Sequence, residues 1–269
     1  MQCMNSVITT RSELEPFPVK VIKLKINGIC LNSCSFCMFH ENKSRLSLGD
    51  VERVFNQIQS LNIPLIVING GEPTLHPEFE AISKFLRSRF KGKIKLQIGT
   101  NLRLFENRSP RLNNIYEAMV STYDRISIGC DAEHKNIDIV EKTVPDLRNR
   151  GLEVSITTVE GYSDNSLLER LELLSEKYSA RVRVSQVNHF SQDNNEKSLN
   201  HLCMLRRDTA LIDCDGAVYF CSYQELEKQV FNIHSVPDCE LNDRLFNYVP
   251  KELYKYCVDC HRYVSEIAS

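Results

Sequence analysis

The sequence predicts an α/β fold: a six-stranded partial (β/α) barrel followed by a small C-terminal domain containing a β-hairpin. Three observations predict it. From about residue 20 to residue 190, short β-rich runs alternate with longer segments of helical period. The alternation stops at the polar stretch 188–200, which reads as a linker or lid. Beyond it, Asp215-Gly216 separates two further β-rich runs within TALIDCDGAVYFC, and Asp-Gly is the preferred pair for a two-residue hairpin turn. The chain accordingly divides into an N-terminal extension (1–19), the barrel (20–190) and the appended domain (191–269).

The runs KVIKLKI, PLIVI, KIKLQIG, DRISIGC, LEVSITTV and RVRVSQV read as the six strands. Ser47 is placed to N-cap a helix whose Val51, Val54, Phe55, Ile58 and Leu61 fall on one face. Phe79, Ile82, Phe85 and Phe90 repeat that pattern, as do Leu167, Leu168, Leu171, Leu174 and Tyr178. Alternating strands and helices imply right-handed crossovers and a parallel sheet, with functional groups gathered at the carboxyl ends of the strands. Six units make an open barrel rather than a closed eight-stranded one. The tail segment CELNDRLFNYVPKELYKYCVDC reads as a short helix ending in a paired-cysteine knuckle.

With 269 residues and 42% hydrophobic content, the chain can bury a sizeable core. Charged residues make up 25% and nearly cancel, so a formal charge of −2 recruits neither nucleic acid nor an anionic membrane. The first residues lack a basic n-region and an apolar h-region, and no apolar run reaches membrane-spanning length, which predicts a cytoplasmic protein. In a reducing compartment, eleven cysteines point to metal or redox use rather than to disulfides. Seven are grouped, as Cys30, Cys34 and Cys37, then Cys203 and Cys221, then Cys257 and Cys260, while Cys3, Cys130, Cys214 and Cys239 are scattered.

Cys30, Cys34 and Cys37 directly follow the first strand, with three and then two residues between them. That spacing lets one loop curl around an inorganic cube and leaves one iron without a protein ligand. A tetrahedral zinc site takes four ligands and would need His40 to complete it. Residues 70–73 read Gly-Gly-Glu-Pro, directly after an apolar run. Glycines at a strand end let backbone approach a ligand closely, and a carboxylate nearby can accept from an ammonium group; the same four residues can also form an ordinary turn.

Together, the three-cysteine loop and the Gly-Gly-Glu-Pro turn resemble the radical S-adenosylmethionine superfamily over residues 20–190. The resemblance implies a 4Fe-4S cluster whose open iron is chelated by the amino and carboxyl groups of S-adenosylmethionine. It also implies one-electron cleavage to methionine and a 5'-deoxyadenosyl radical, which takes a hydrogen atom from substrate. On this resemblance Cys30, Cys34 and Cys37 hold the cluster, Phe36 lies near the adenine, and Gly70, Gly71 and Glu72 contact the methionine amino group. Thr100, Asn101, Ser127 and Asp131 fall where the family holds the ribose and carboxylate, although GTNLR stands here for the frequent Thr-Asn-Gly. A flavodoxin- or ferredoxin-type protein is the implied electron donor.

Cys203, Cys221, Cys257 and Cys260 have the order expected for a second 4Fe-4S cluster: a thiol before the hairpin, one at its end, and a close pair after a helix. If Asp215-Gly216 is a two-residue turn, Cys221 falls opposite Ala210, roughly 13 Å along the ladder from Cys214, too far for both to share one cube. Seventeen residues separate Cys203 from Cys221, and two separate the last pair. This set resembles the twitch appendage, a shortened SPASM-type domain, and most resembles the butirosin-pathway amino-sugar dehydrogenase type. Four thiols equally permit a structural zinc site, and a third arrangement leaves Cys203 unligated and one iron open to substrate.

For the substrate chemistry, Cys130 ends the fourth strand, where a positioned thiol can donate a hydrogen atom to a substrate radical or can simply be a small buried hydrophobe. Glu133 and His134 follow in the same loop and can accept a proton, bind a hydroxyl, or merely be solvated. Arg183, Gln186 and His189 are further pocket candidates, and Met38, Phe39 and His40 continue the cluster loop as a shield. The expected activity is a radical oxidoreductase acting on a small polar metabolite, an amino sugar or related natural product, with the second cluster accepting an electron. Only about 20 residues precede the first strand, too few for a folded peptide-recognition domain. The alternatives are a peptide-modifying or epimerising enzyme using Cys130 or Cys214 as hydrogen donor, and a non-enzymatic iron-sulfur or zinc protein.

Overall fold

The computed structural model describes residues 19–37, 43–57, 63–107, 109–185, 209–219 and 231–246. Strands β1 (Val21–Asn27), β2 (Leu65–Gly70), β3 (Lys95–Thr100), β4 (Arg125–Gly129), β5 (Glu153–Val159) and β6 (Arg181–Ser185) pair in sequence order, all parallel. Between them run α1 (Leu48–Gln57), α2 (Phe79–Phe90), α3 (Pro110–Thr122), α4 (Ile137–Asn149) and α5 (Asn165–Tyr178). The six-stranded α/β partial barrel read from the sequence is present, and its helices include α3 and α4, which the apolar periodicity had not singled out. Pro145 lies inside α4, where a proline argues against a helix on sequence grounds. Asp164 caps α5 by accepting from the Leu167 N–H at 2.8 Å. Ile58 and Leu61, expected on the first helix, lie outside the described residues.

The strands alternate in burial. Ile22, Leu24 and Ile26, Ile66 and Ile68, Leu96 and Ile98, Ile126 and Ile128, and Val154 and Ile156 face the helices, where they pack against Phe55, Phe79, Leu86, Met119 and Leu147. The opposite face of β3–β6 carries Gln97, Arg125, Ser127, Glu153, Ser155, Thr157, Arg181 and Arg183, aligned by register. A fully covered parallel sheet would be apolar on both faces. Here only the helix side is core, and the inner side is polar.

β7 (Thr209–Ile212) joins β1 in parallel, and β8 (Ala217–Tyr219) and β9 (Phe231–Asn232) continue antiparallel, so the C-terminal hairpin extends one nine-stranded sheet in the order β6-β5-β4-β3-β2-β1-β7-β8-β9. The expected two-residue turn is corrected to a three-residue loop. Asp213 N–H donates to Ala217 O at 2.8 Å, Gly216 N–H donates to Asp213 O at 2.9 Å, and Ile212 pairs with Val218. Gly216 takes φ 83°, so the glycine closes a turn with a left-handed residue rather than serving as half of a primed turn. Cys214 lies within that loop and is buried. Lys25 on β1 and Asp213 pair at 3.3 Å, both buried, and burial holds the lysine below its usual value against the pull of the aspartate. Helix α6 (Asp238–Phe246) is tied to α1 through Arg53, which bonds Asp238 and the carbonyls of Ile233 and Val236.

Candidate active site

A cavity of about 720 Å³ opens at the carboxyl ends of β1–β5. Cys30, Cys34, Cys37 and Phe36, all from the loop after β1, form one side of it. The loop is folded by its own backbone and by neighbours. Cys37 N–H donates to Cys34 O at 3.0 Å, and the Cys30 sulfur accepts from Asn32 N–H at 3.4 Å and from Asn101 Nδ2 at 3.5 Å. Burial raises the Cys30 thiol and pushes Cys34 up to about 12, with the Asp131 carboxylate the next contributor at Cys34. Both thiols are therefore protonated in the metal-free chain, and a metal centre would displace those protons on binding.

Gly70 and Gly71 also line the cavity. Their lack of a side chain serves the cluster loop directly. A Cβ on Gly70 would stand 2.1 Å from Asn27 O, and one on Gly71 2.5 Å from Ile29 O. Gly71 N–H donates to Asn27 O at 2.6 Å and Glu72 N–H to Ile29 O at 2.8 Å. The glycines thus let the turn after β2 zip onto the chain leading into Cys30. Asn27, which the sequence reading passed over, completes the seam by donating from Nδ2 to Ile29 O at 3.1 Å and Glu72 O at 3.0 Å.

The Glu72 carboxylate stands apart from its expected place. It is fully buried and does not line the cavity. It accepts from Thr74 N–H (3.2 Å) and Thr74 Oγ1 (2.6 Å), from Thr100 Oγ1 (2.9 Å) and from Asn101 N–H (2.8 Å). Its oxygens are taken up in joining the ends of β2 and β3, so only the backbone of the Gly-Gly-Glu turn is left for a ligand. Burial raises its carboxyl while those donors oppose the rise. Thr100 and Asn101 do line the cavity, and Asn136 Nδ2 holds Asn101 O and Gly129 O, each at 2.7 Å.

The loop after β4 arranges a second group. Ser127 and Gly129 reach the cavity, and His134 stands over Gly129, so close that a Cβ there would meet the imidazole at 3.1 Å. Asp131 is buried; its Oδ1 accepts from the N–H groups of Glu133 and His134 at 3.0 Å, and its Oδ2 pairs with His134 Nδ1 at 2.7 Å. Asp131 therefore orients the histidine rather than facing a ligand, and with Nδ1 engaged by the carboxyl group, Nε2 is the ring nitrogen left over. Glu133 is engaged too. It receives Ser35 N–H and Ser35 Oγ, the latter at 2.5 Å, and Ser35 Oγ also reaches Tyr162 Oη at 3.1 Å. Phe36 packs edge-on against Tyr162, ring centroids 4.8 Å apart, and lies 6.0 Å from the His134 ring. Glu133 is thus a brace for the three-cysteine loop, supplied from the end of β4.

Cys130 is corrected as a substrate-facing thiol. It follows Ile126 and Ile128 in the alternation, is fully buried in the core against the helices, and lies outside the cavity wall. Burial pushes its thiol up to about 12. Cys203, Cys221, Cys257 and Cys260, together with His40, Gln186 and His189, lie outside the described residues.

The donor set fits the 4Fe-4S cluster and S-adenosylmethionine that the sequence implies. Three soft thiols share one cavity, and a cube takes one thiolate on each of three irons. Two buried polar atoms of the cavity wall, Asn32 Nδ2 and Asn69 Oδ1, have no hydrogen-bond partner among the described residues, which suits a site that takes a polar ligand.

GTP 3',8-cyclase of Mannheimia succiniciproducens is 27% identical over 86 residues, 30% of this chain and 25% of that protein. Streptococcus suis SuiB bound to S-adenosylmethionine superposes with a TM-score of 0.65 at 16% identity, covering 86% of this chain and 64% of SuiB. SuiB bound to precursor peptide SuiA gives 0.69 at 15% identity, over 89% of this chain and 66% of SuiB. The enzyme anSMEcpe, with bound AdoMet and the Cp18Cys peptide, gives 0.56 at 14% identity, over 87% and 85% of the two chains. The chain thus spans about two thirds of SuiB and shares its fold. No helix among the described residues is long and apolar enough to cross a membrane. Residues 24–174, more than half of the 269, match the sequence profile of the radical SAM superfamily, and the chain belongs to that family.

Proposed function

We propose that the protein is a radical S-adenosylmethionine oxidoreductase that oxidises an alcohol carbon of a small polar metabolite, an amino sugar or related natural product, to a carbonyl. The observation that carries the reading is the junction of the three-thiol cavity with a hydroxyl-lined inner face. Ser127 and Thr157 line the cavity, and Ser155 stands beside Ser127 in register. Hydroxyls and amides suit a polyhydroxylated substrate, whose own hydroxyl groups exchange water for them. When bound, the cluster and S-adenosylmethionine supply a 5'-deoxyadenosyl radical at the carboxyl ends of the strands.

The chain's own groups do the rest. Phe36 offers an aromatic wall, and the backbone of Gly70 and Gly71 offers polar groups without side chains in the way. The His134 Nε2, kept free by Asp131 at Nδ1, accepts the hydroxyl proton as the carbonyl forms. Cys203, Cys221, Cys257 and Cys260 would hold a second 4Fe-4S cluster, which would supply an acceptor for the remaining electron, and a flavodoxin- or ferredoxin-type donor would supply the reducing electron. Core burial of Cys130 withdraws one thiol that an epimerase would use.

Turnover in deuterated water tests the reading. A product oxidised by two electrons, with no solvent deuterium fixed at carbon, is expected; deuterium fixed at carbon without net oxidation would assign an epimerising enzyme instead. Reconstituted protein is expected to hold about eight irons, and about four irons with one zinc would remove the second cluster.

A further inference from the structure

Beyond the thiol cavity, the inner face carries charge that the chemistry above does not use. A second cavity of about 240 Å³ lies against β3–β6 and shares Ser127 and Thr157 with the larger one. Arg125, Arg148, Arg181 and Arg183 line it, with Glu153 the one carboxylate among them. Arg125 is spent on Glu153, with bonds of 2.9 and 2.7 Å, and Lys95 also pairs with that carboxylate. Arg148 donates to the carbonyls of Tyr178 (2.8 Å) and Leu152 (2.7 Å). Arg181 and Arg183 on β6 remain, exposed, with no hydrogen bond or ion pair among the described residues.

Register sets what these two face. Arg181 pairs with Ser155 and Arg183 with Thr157, so each guanidinium shares the inner face with a hydroxyl. The row of Arg183 and Thr157 continues to Gly129, beneath the His134 ring. Two strand spacings, about 10 Å, separate β6 from β4 along that row, within the span of a small substrate and one arginine side chain. Planar guanidinium forks match the oxygen pairs of phosphoryl and carboxylate groups, and two uncompensated positive charges in a cleft attract anions.

We infer that Arg181 and Arg183, with the hydroxyls of Ser155 and Thr157, form an oxyanion site for the substrate, so that the metabolite carries a phosphoryl or carboxylate group. The inference rests on the proposed reading in placing the reacting carbon under His134. A sugar phosphate or a sugar acid, amino-substituted or not, meets the requirement.

Anaerobic calorimetry on reconstituted protein saturated with S-adenosylmethionine tests it with glucose 6-phosphate, gluconate and glucose as probes. One oxyanion is expected to bind about tenfold more tightly than glucose, and the tighter of the two identifies phosphoryl or carboxylate. Arg183→Gln and Arg181→Gln are each expected to weaken it about tenfold, Arg183→Lys less, and Arg111→Gln on α3 not at all. Equal binding of all three probes, or oxyanion binding unchanged in both glutamine variants, overturns the inference, as does competition between the oxyanion and S-adenosylmethionine for one site. S-adenosylmethionine cleavage, followed on the same wild-type preparation, separates the two claims. Cleavage without oxyanion preference removes this site alone; an arginine-dependent oxyanion site without cleavage removes the proposed reaction alone.

Discussion

Leu102 takes a left-handed backbone, φ 59°, with its side chain fully buried. A bulky residue there is strained, and the family's glycine at that position would not be. Burial offsets the strain here, which is why the Thr-Asn-Gly turn was hard to read through GTNLR. Leu102→Ala is expected to cost about 2–5 kcal/mol, the usual range for a buried leucine. Leu102→Gly should recover about 1 kcal/mol of that by relieving the backbone. Glycine more stable than alanine by urea unfolding would support the account, and the common order, alanine ahead, would refute it. Glu133 makes a second residue-scale case. As the brace on Ser35, it acts on the thiol loop from outside the ligand set, so Glu133→Ala should lower iron retention against a chelator about tenfold. Retention equal to wild type would return Glu133 to the solvent. The thiols and the glycines were legible because their spacing and identity are local; Asn27 and Asn136 were not, because Glu72 and Asn101, whose carbonyls they hold, follow other strands.

At the scale of elements, the runs KIKLQIG, RISIG and EVSITTV already alternate polar and apolar, yet the parallel sheet they imply would ordinarily be apolar on both sides. The polar positions mark the face that looks into the open barrel, a signal present in the sequence and read only as strand. Glu153 ties three of those strands through Lys95 and Arg125, whose hydrogen bonds hold its carboxyl at about 2, below the ordinary 4.5. A folded value below the unfolded one stabilises above the unfolded value and ceases to do so as pH falls through the folded one. The pair is half exposed, so Glu153→Gln should cost only about 0.2–1 kcal/mol at neutral pH. The gap in urea midpoint between wild type and variant should narrow below pH about 4.5 and close near pH about 2. A gap that stays constant across that window would mean the ion pairs contribute nothing. The hairpin shows the opposite limit: Asp-Gly announced a turn, but whether it spans two residues or three depends on the ladder, which the dipeptide does not encode.

Over the whole molecule, the alternation of strands and helices was enough to predict the barrel and to put its chemistry at the carboxyl ends. What it did not predict is that β7 adds to β1, making the strand that feeds the thiol loop an interior member of a nine-stranded sheet. Interior placement gives β1 pairing on both sides and fixes the start of the loop that carries Cys30, Cys34 and Cys37. The central claim is that this loop and the Gly70-Gly71 turn build one reactive centre. Anaerobically reconstituted protein treated with dithionite and S-adenosylmethionine should form 5'-deoxyadenosine, and Cys30→Ala should abolish it. No 5'-deoxyadenosine above the Cys30→Ala control would contradict the account.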